Sequence, residues 1–174
     1  MSAVAAGGEL SRSKRYLTDL VVNTVLASHV VPRPLRRALL RACGYRVARD
    51  ACVSAKTYVG SRRVMFGARS FANVGCTFDG NAVIDIREDV QIGMHVRVLT
   101  ASHEIGPSTA RAGTPSAAPI RIESGVWIGA SSTILGGVTI GHGAIIAAGS
   151  LVRQDCKPDT LYGGVPAREI RQLY

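Results

Sequence analysis

Four histidines are this chain's natural proton carriers near neutrality: His29, His95, His103 and His142. An imidazole can take the proton from a hydroxyl, and as a general base it is worth roughly 10²–10⁴ in rate. His29 falls in an apolar N-terminal stretch and reads as packing. His95 and His142 sit in the short segments IGMHV and IGHGA, where a solvated corner side chain is the default. His103 stands apart, because a regular repeat stops at it and a long irregular stretch follows. From the residues alone it is either a loop-anchoring histidine or a general base. No Gly-x-Ser-x-Gly elbow supplies a serine nucleophile. Cys43, Cys52, Cys76 and Cys156 are scattered with no Cys-x-x-Cys pair. That spacing argues against zinc knuckles and a disulfide framework, and for reduced thiols in a cytoplasmic protein. Cys76 reads as core packing.

The elements that must position these groups count in sixes. Ile122, Ile128, Ile134, Ile140, Ile146 and Val152 follow one another at that spacing without a slip. Four residues behind lies a row of small or β-branched residues: Val126, Ser132, Val138, Ala144 and Ser150. The same count runs through Ile86, Ile92 and Val98, with Val90 and Val96 behind, and through Phe66, Ala72 and Phe78. Neither a helix nor an isolated strand sustains a period of six. A triangular coil does, with six residues per flat face, one apolar side chain pointing inward and a small residue at the corner. Residues 47–152 then make about five or six stacked coils, each relying on its neighbours for backbone pairing. Asp79–Asn81 interrupts the count briefly. Residues 104–119 break it fully, as an irregular excursion of the kind that more often carries function than structure. The period does not fix the hand of the coil.

Ahead of the coils, residues 12–30 read as an amphipathic helix with Leu17, Leu20, Val21, Thr24, Val25 and Ser28 on one face. Pro32 and Pro34 break it. A second short helix runs to about Cys43, with Leu35, Leu39 and Ala42 on one face and Gly44 as its stop. The chain thus divides into a helical segment (1–45), the coil with its excursion loop (46–155, loop 104–119) and a tail packing on the coil (156–174). Hydrophobic residues make up 47% of the 174 residues and aromatics only 5%, which suits thin stacked layers. The net charge of +9 favours polyanionic partners. The arginines are spread along the chain rather than clustered between aromatics, so a nucleic-acid partner is not expected; a solvated basic surface, or attraction of a phosphorylated cofactor, is. Arg12, Lys14 and Arg15 precede the first apolar stretch, so contact of that helix with a membrane surface stays open beside packing on its own domain. No apolar run is long enough to span a bilayer.

The hexad run, FANVGCTFDG, VLTASHEIG, the VWIG at 126–129 and the terminal GGVPAREI at 163–170 resemble the galactoside, maltose and nodulation-factor O-acetyltransferases of the left-handed β-helix superfamily. The likeness covers roughly residues 50–172. The N-terminal helices look more like the polysaccharide-modifying branch. The resemblance implies an all-β fold, a left-handed parallel β-helix of hexapeptide repeats, preceded by two short α-helices. It implies a homotrimer with active sites between subunits and acetyl-CoA as co-substrate, with no metal. It also implies direct acyl transfer to the hydroxyl of a sugar or glycosylated small molecule. His103 matches the family's catalytic base, and Asn73 the asparagine that holds acceptor or histidine in place. Trp127 matches the tryptophan beside the acyl and pantetheine arm. The Ala130 N–H matches a donor that polarises the thioester carbonyl. Ala148 falls at the turn that holds the pantetheine arm, and Arg168 and Arg171 at the basic positions near the nucleotide phosphates. On the acceptor side, Phe71 stands where the sugar acetyltransferases carry a tyrosine, Gly75 replaces a polar residue, and Ala130 replaces a serine. Those departures point to an acceptor that is less sugar-like or bound differently. Asp79 could orient the acceptor or His103, or form a turn; Glu104 reads as a loop residue. Three alternatives remain: N-acyl transfer to an amino sugar or other amine, a non-catalytic β-helix used in assembly, and a zinc enzyme of the carbonic-anhydrase type. The last lacks the late His-x4-His pair, since only His142 lies beyond His103.

Overall fold

A computed structural model describes residues 17–173 of the chain. The count of six becomes three parallel sheets wrapped around one apolar axis. Face 1 stacks Arg46–Val47, Val64–Phe66, Ile84–Ile86, Ile120–Ile122 and Thr139–Ile140. Face 2 stacks Cys52–Val53, Phe71–Ala72, Gln91–Ile92, Trp127–Ile128, Ile145–Ile146 and Thr160–Gly164, six coils high. Face 3 stacks Tyr58–Val59, Thr77–Phe78, Arg97–Leu99, Thr133–Leu135 and Leu151–Val152. Every hexad residue named above points inward and is at most 4% exposed, and so does the row four behind. Each fully buried isoleucine contributes about 1.5–3 kcal/mol over leaving it in water. Corners need a left-handed residue. Lys56, Gly75, His95, Ser131 and Gly149 all take positive φ on the edge between faces 2 and 3.

The helices differ from the sequence expectation in which side they bury. The first is helical over 17–26, its last six residues (Val21–Leu26) wound as a wider π-type turn; positions 12–16 and the basic trio lie outside the described residues. Val22 and Leu26 are buried, while Leu17, Leu20 and Val25 are 45–60% exposed. The cause is polar. Asn23 takes the Val59 N–H on Oδ1 (2.8 Å) and donates from Nδ2 to the Val59 carbonyl (3.3 Å), locking that side of the helix onto the first coil. The second helix, Arg33–Ala42, likewise buries Arg36 and Leu40, whereas Leu35 is half exposed and Ala42 exposed.

The first coil has no coil beneath it, so its lower edge would leave backbone groups unpaired. The helices supply the partners. Arg36 donates to Val53 O (3.3 Å), Arg37 to Ala51 O (3.4 Å), Arg41 to Val47 O (2.7 Å), and Ala27 O accepts from Lys56 N (2.7 Å). Arg36 is 3% exposed and also donates to the carbonyl of Leu26, the last residue of the first helix, and to those of Ser28 and Val31 beyond it. A cation at a helix C-terminus is well placed against the helix dipole. At the far end, Ala167–Gln172 folds back antiparallel on Thr160–Gly164 and closes face 2.

The excursion is not irregular. Ala101–Ile105 pairs antiparallel with Ala112–Ala117, His103 opposite Pro115, forming a two-stranded arm that leaves the edge between faces 3 and 1. It has no apolar period because both of its sides face away from the coil; Ile105 is 89% exposed.

Candidate functional site

The predicted residues fall into two groups on different edges of the prism. Asn73, Ala130 and Ala148 occupy the edge between faces 2 and 3, on coils two, four and five. They are held in one column by Asn73 N→Ile92 O (3.0 Å), Gly93 N→Ile128 O (2.8 Å), Gly129 N→Ile146 O (2.7 Å) and Ala147 N→Tyr162 O (2.8 Å). Trp127 stands beside this edge on the outer surface of face 2, 56% exposed, in register with Gln91 below and Ile145 above. Arg168 and Arg171 lie on the closing strand at the top of the same face. From Asn73 to that strand is five strand-to-strand steps, about 24 Å at β-sheet spacing.

Local hydrogen bonds set each of these groups. The Asn73 carbonyl accepts from Thr57 Oγ1 (3.3 Å), and its side-chain Oδ1 takes the Val74 N–H (2.8 Å). That leaves the Asn73 amide NH2 without an acceptor among the described residues. Buried Ser132 and Ser150 both donate to the Ala147 carbonyl (3.0 and 2.6 Å), which fixes the turn carrying Ala148. The Ala130 and Ala148 N–H groups have no acceptor among the described residues. Nothing overlies Gly149 within 4 Å, so the column borders open space. A run of small residues with unspent N–H donors, an exposed indole at its side and two arginines at its end fits a long thin ligand that ends in phosphates.

His103 and Asp79 belong to the other edge, between faces 3 and 1. The His103 side chain is exposed on the arm with no partner in its own chain among the described residues. Within one protomer, face 3 separates it from Asn73. Asp79 lies at the root of the arm with both carboxylate oxygens engaged. Oδ1 accepts from Thr100 N (2.9 Å) and Thr100 Oγ1 (2.6 Å), and Oδ2 from Ala101 N (2.8 Å) and Asn81 Nδ2 (3.3 Å). Burial pushes this carboxyl up, but the bonds from Thr100, Ala101 and Asn81 outweigh it and hold it below the usual range. Asp79 therefore grips the strand that carries His103, two residues before it. Phe71, expected on the acceptor side, lies on face 2 with the Arg33 guanidinium 5.4 Å from its ring centroid. Gly75 is required by its corner: φ is +75°, and a Cβ there would meet the His95 imidazole at 2.5 Å.

Cys76 is fully buried, donates to Gly93 O (3.2 Å), and burial pushes its thiol up to about 11; that of Cys156 goes up to about 12. Neither is a ready nucleophile. Sequence reasoning passed over Lys56, on the Asn73 edge one coil below; His95, one coil above on the same edge, is the solvated corner expected of it. The corner position in the hexad that Lys56 shares with His95 was the available signal.

Residues 119–154 match the bacterial transferase hexapeptide (six repeats) family. The chain is 30% identical to the galactoside O-acetyltransferase of Escherichia coli (strain K12) over 84% of this chain and 72% of that protein. It is 42% identical to a putative acetyltransferase of Schizosaccharomyces pombe over 63% of this chain, and spans about half (53%) of that relative's length. A hexapeptide-repeat acetyltransferase from Vibrio cholerae, solved in complex with acetyl coenzyme A, superposes with a TM-score of 0.78 at 35% identity, covering 94% of this chain and 87% of that one. No described helix is long and apolar enough to cross a membrane.

Proposed function

The chain belongs to the hexapeptide-repeat acetyltransferases, left-handed parallel β-helix proteins, and from that premise we propose that it is an acetyl-CoA-dependent O-acyltransferase acting on a hydroxyl of a sugar or glycosylated small molecule. The observation that carries the reading is the single edge along which Asn73, Trp127, the unspent N–H groups of Ala130 and Ala148, and the two terminal arginines succeed one another. Acetyl-CoA, when bound there, supplies the thioester carbon. Trp127 flanks the pantetheine arm, the Ala148 N–H holds it, and Arg168 and Arg171 meet the phosphates.

The enzyme works as a homotrimer. The exposed arm of one protomer crosses to the neighbour's face 2/face 3 edge, and that contact covers Ile105. The arm leaves the third coil, so with the threefold along the coil axis His103 arrives between the neighbour's Asn73, one coil below, and its Ala130, one coil above. His103 takes the proton from the acceptor hydroxyl, and the free amide NH2 of Asn73 orients the acceptor or the imidazole. The alkoxide attacks the thioester carbonyl directly, with no acyl-enzyme, and the charge that develops on the carbonyl oxygen is met by the Ala130 N–H; as the adduct collapses the C–S bond breaks, and CoA leaves as the thiol with the proton that His103 took. Losing one such donor typically costs about 3–4 kcal/mol of barrier.

The test is His103→Ala, followed as thiol release from acetyl-CoA in the presence of acceptor. Turnover should fall by roughly 10²–10⁴ while sedimentation and thermal unfolding stay as in the parent. A variant that keeps near-normal turnover removes His103 as the base.

A further inference from the structure

One cavity of the described structure has no part in the donor side. It measures about 560 Å³ and lies between the end of the first helix and the first coil, lined among others by Asn23, Thr24, His29, Lys56, Thr57 and Tyr58. Its place is informative. Lys56 sits on the face 2/face 3 edge in the corner position of Gly75, one coil lower, and Thr57 hydrogen-bonds the Asn73 carbonyl. The proposed donor groove climbs from Asn73 toward Arg168. An acceptor must reach the same reacting point from the opposite side, and below Asn73 this cavity is what the edge offers.

Its chemistry is one-sided. Lys56 is exposed, and neither its ammonium nor the His29 imidazole has a partner among the described residues; no carboxylate lines the space. Asp19, the nearby acid on the first helix, is engaged with Asn23 Nδ2 at 2.7 Å. Thr24 adds an exposed hydroxyl suited to a polyhydroxylated ligand, while the Thr57 hydroxyl is engaged with the Asn73 carbonyl. Lys56 also holds a left-handed φ of +55°, which disfavours a residue carrying a Cβ by about 1–2 kcal/mol, so local backbone preference does not explain a lysine there.

We propose that this cavity is the acceptor site and that it selects a hydroxyl compound bearing an anionic group, which Lys56 binds. The proposal rests on the acyltransferase reading above and adds the class of acceptor to it.

Binding and turnover separate the two. Binding to the full-length protein is measured by calorimetry for three hexoses: methyl glucoside, methyl glucuronide and glucose 6-phosphate. The acidic pair should bind at least tenfold more tightly than the neutral glycoside, with the preference falling at high salt. The carboxylate and phosphate arms show which anion is preferred. Lys56→Asn, chosen because asparagine tolerates the left-handed corner, should abolish most of that preference with unfolding temperature unchanged; Lys56→Gly is the second variant. Equal binding of charged and neutral hexoses, binding of none, or a preference untouched in both variants overturns the proposal. The His103→Ala result tests the acyltransferase reading by itself, since it can fail while the anion preference stands, and the reverse.

Discussion

Removing the Asp79 carboxylate tests how the His103 arm is aimed. In Asp79→Ala, four donors lose an acceptor: Thr100 N–H, Thr100 Oγ–H, Ala101 N–H and the exposed Asn81 Nδ2. Thr100 is fully buried, so water cannot replace its partner, whereas Ala101 is exposed and can be rehydrated. Leaving a buried donor unsatisfied costs about 1–3 kcal/mol. With Thr100 supplying the main loss, the variant should be destabilised by about 2–3 kcal/mol, or roughly 4–12 °C in Tm for a chain of this size. Asp79→Asn keeps an oxygen for Thr100 but turns an NH2 toward Ala101, and should lie between. The sign with pH follows from the carboxyl being held below its ordinary range. Its contribution is complete above the unfolded value, about 4, and is lost as pH falls through the lower folded value. The gap in Tm between parent and Asp79→Ala should therefore be flat at neutral pH and close in strong acid. Activity carries the second reading. A displacement of about 1 Å at a reacting group can cost roughly 10²-fold, so kcat should fall far more than KM for acetyl-CoA rises. The reasoning is refuted if Asp79→Ala unfolds within a degree of the parent and keeps its kcat.

Three further outcomes are expected. Arg168→Ala should raise KM for acetyl-CoA several-fold with little change in kcat; an unchanged KM removes the arginine from the phosphate end. Arg36→Met, which withdraws the donors to Leu26, Ser28, Val31 and Val53 carbonyls, should cost about 2–4 kcal/mol by denaturant titration, and a neutral result would mean that water serves those carbonyls equally well. Replacing residues 102–116 by a short glycine-serine turn should leave the coil's circular dichroism intact while sedimentation falls to the monomer; a trimer that survives would show that the arm does not hold it.

The coil was legible because six residues per face is a property of backbone geometry, and every hexad residue from Phe66 to Val152 points inward as counted. The helix faces were misread for a related reason. Apolar periodicity admits two stripes on the first helix. The choice between them is made by Asn23 pairing with the exposed edge of the first coil, which exists only once the coil is formed. The arginines of the second helix read as a solvated basic surface until that edge gave them carbonyls to bind. The pairing of the arm was hidden because strands facing solvent on both sides carry no alternation. Among the candidate site residues, His103 stood out where the repeat stops, but Asn73, Ala130 and Ala148 had no signal beyond the family likeness, since two of them are proposed to act through main-chain atoms that any side chain would share.

The arginine-bearing base of the prism decides what the protein does not become. Parallel strands stacked at constant spacing are a template without a natural end, and a bare lower rung would accept the rung of another molecule as readily as its own continuation. A chain trimmed to begin at Tyr45 should then associate base to base with a second copy, since Ala167–Gln172 still closes face 2 at the other end. Guanidinium groups occupying those carbonyls set the number of storeys and keep each base closed to a second copy.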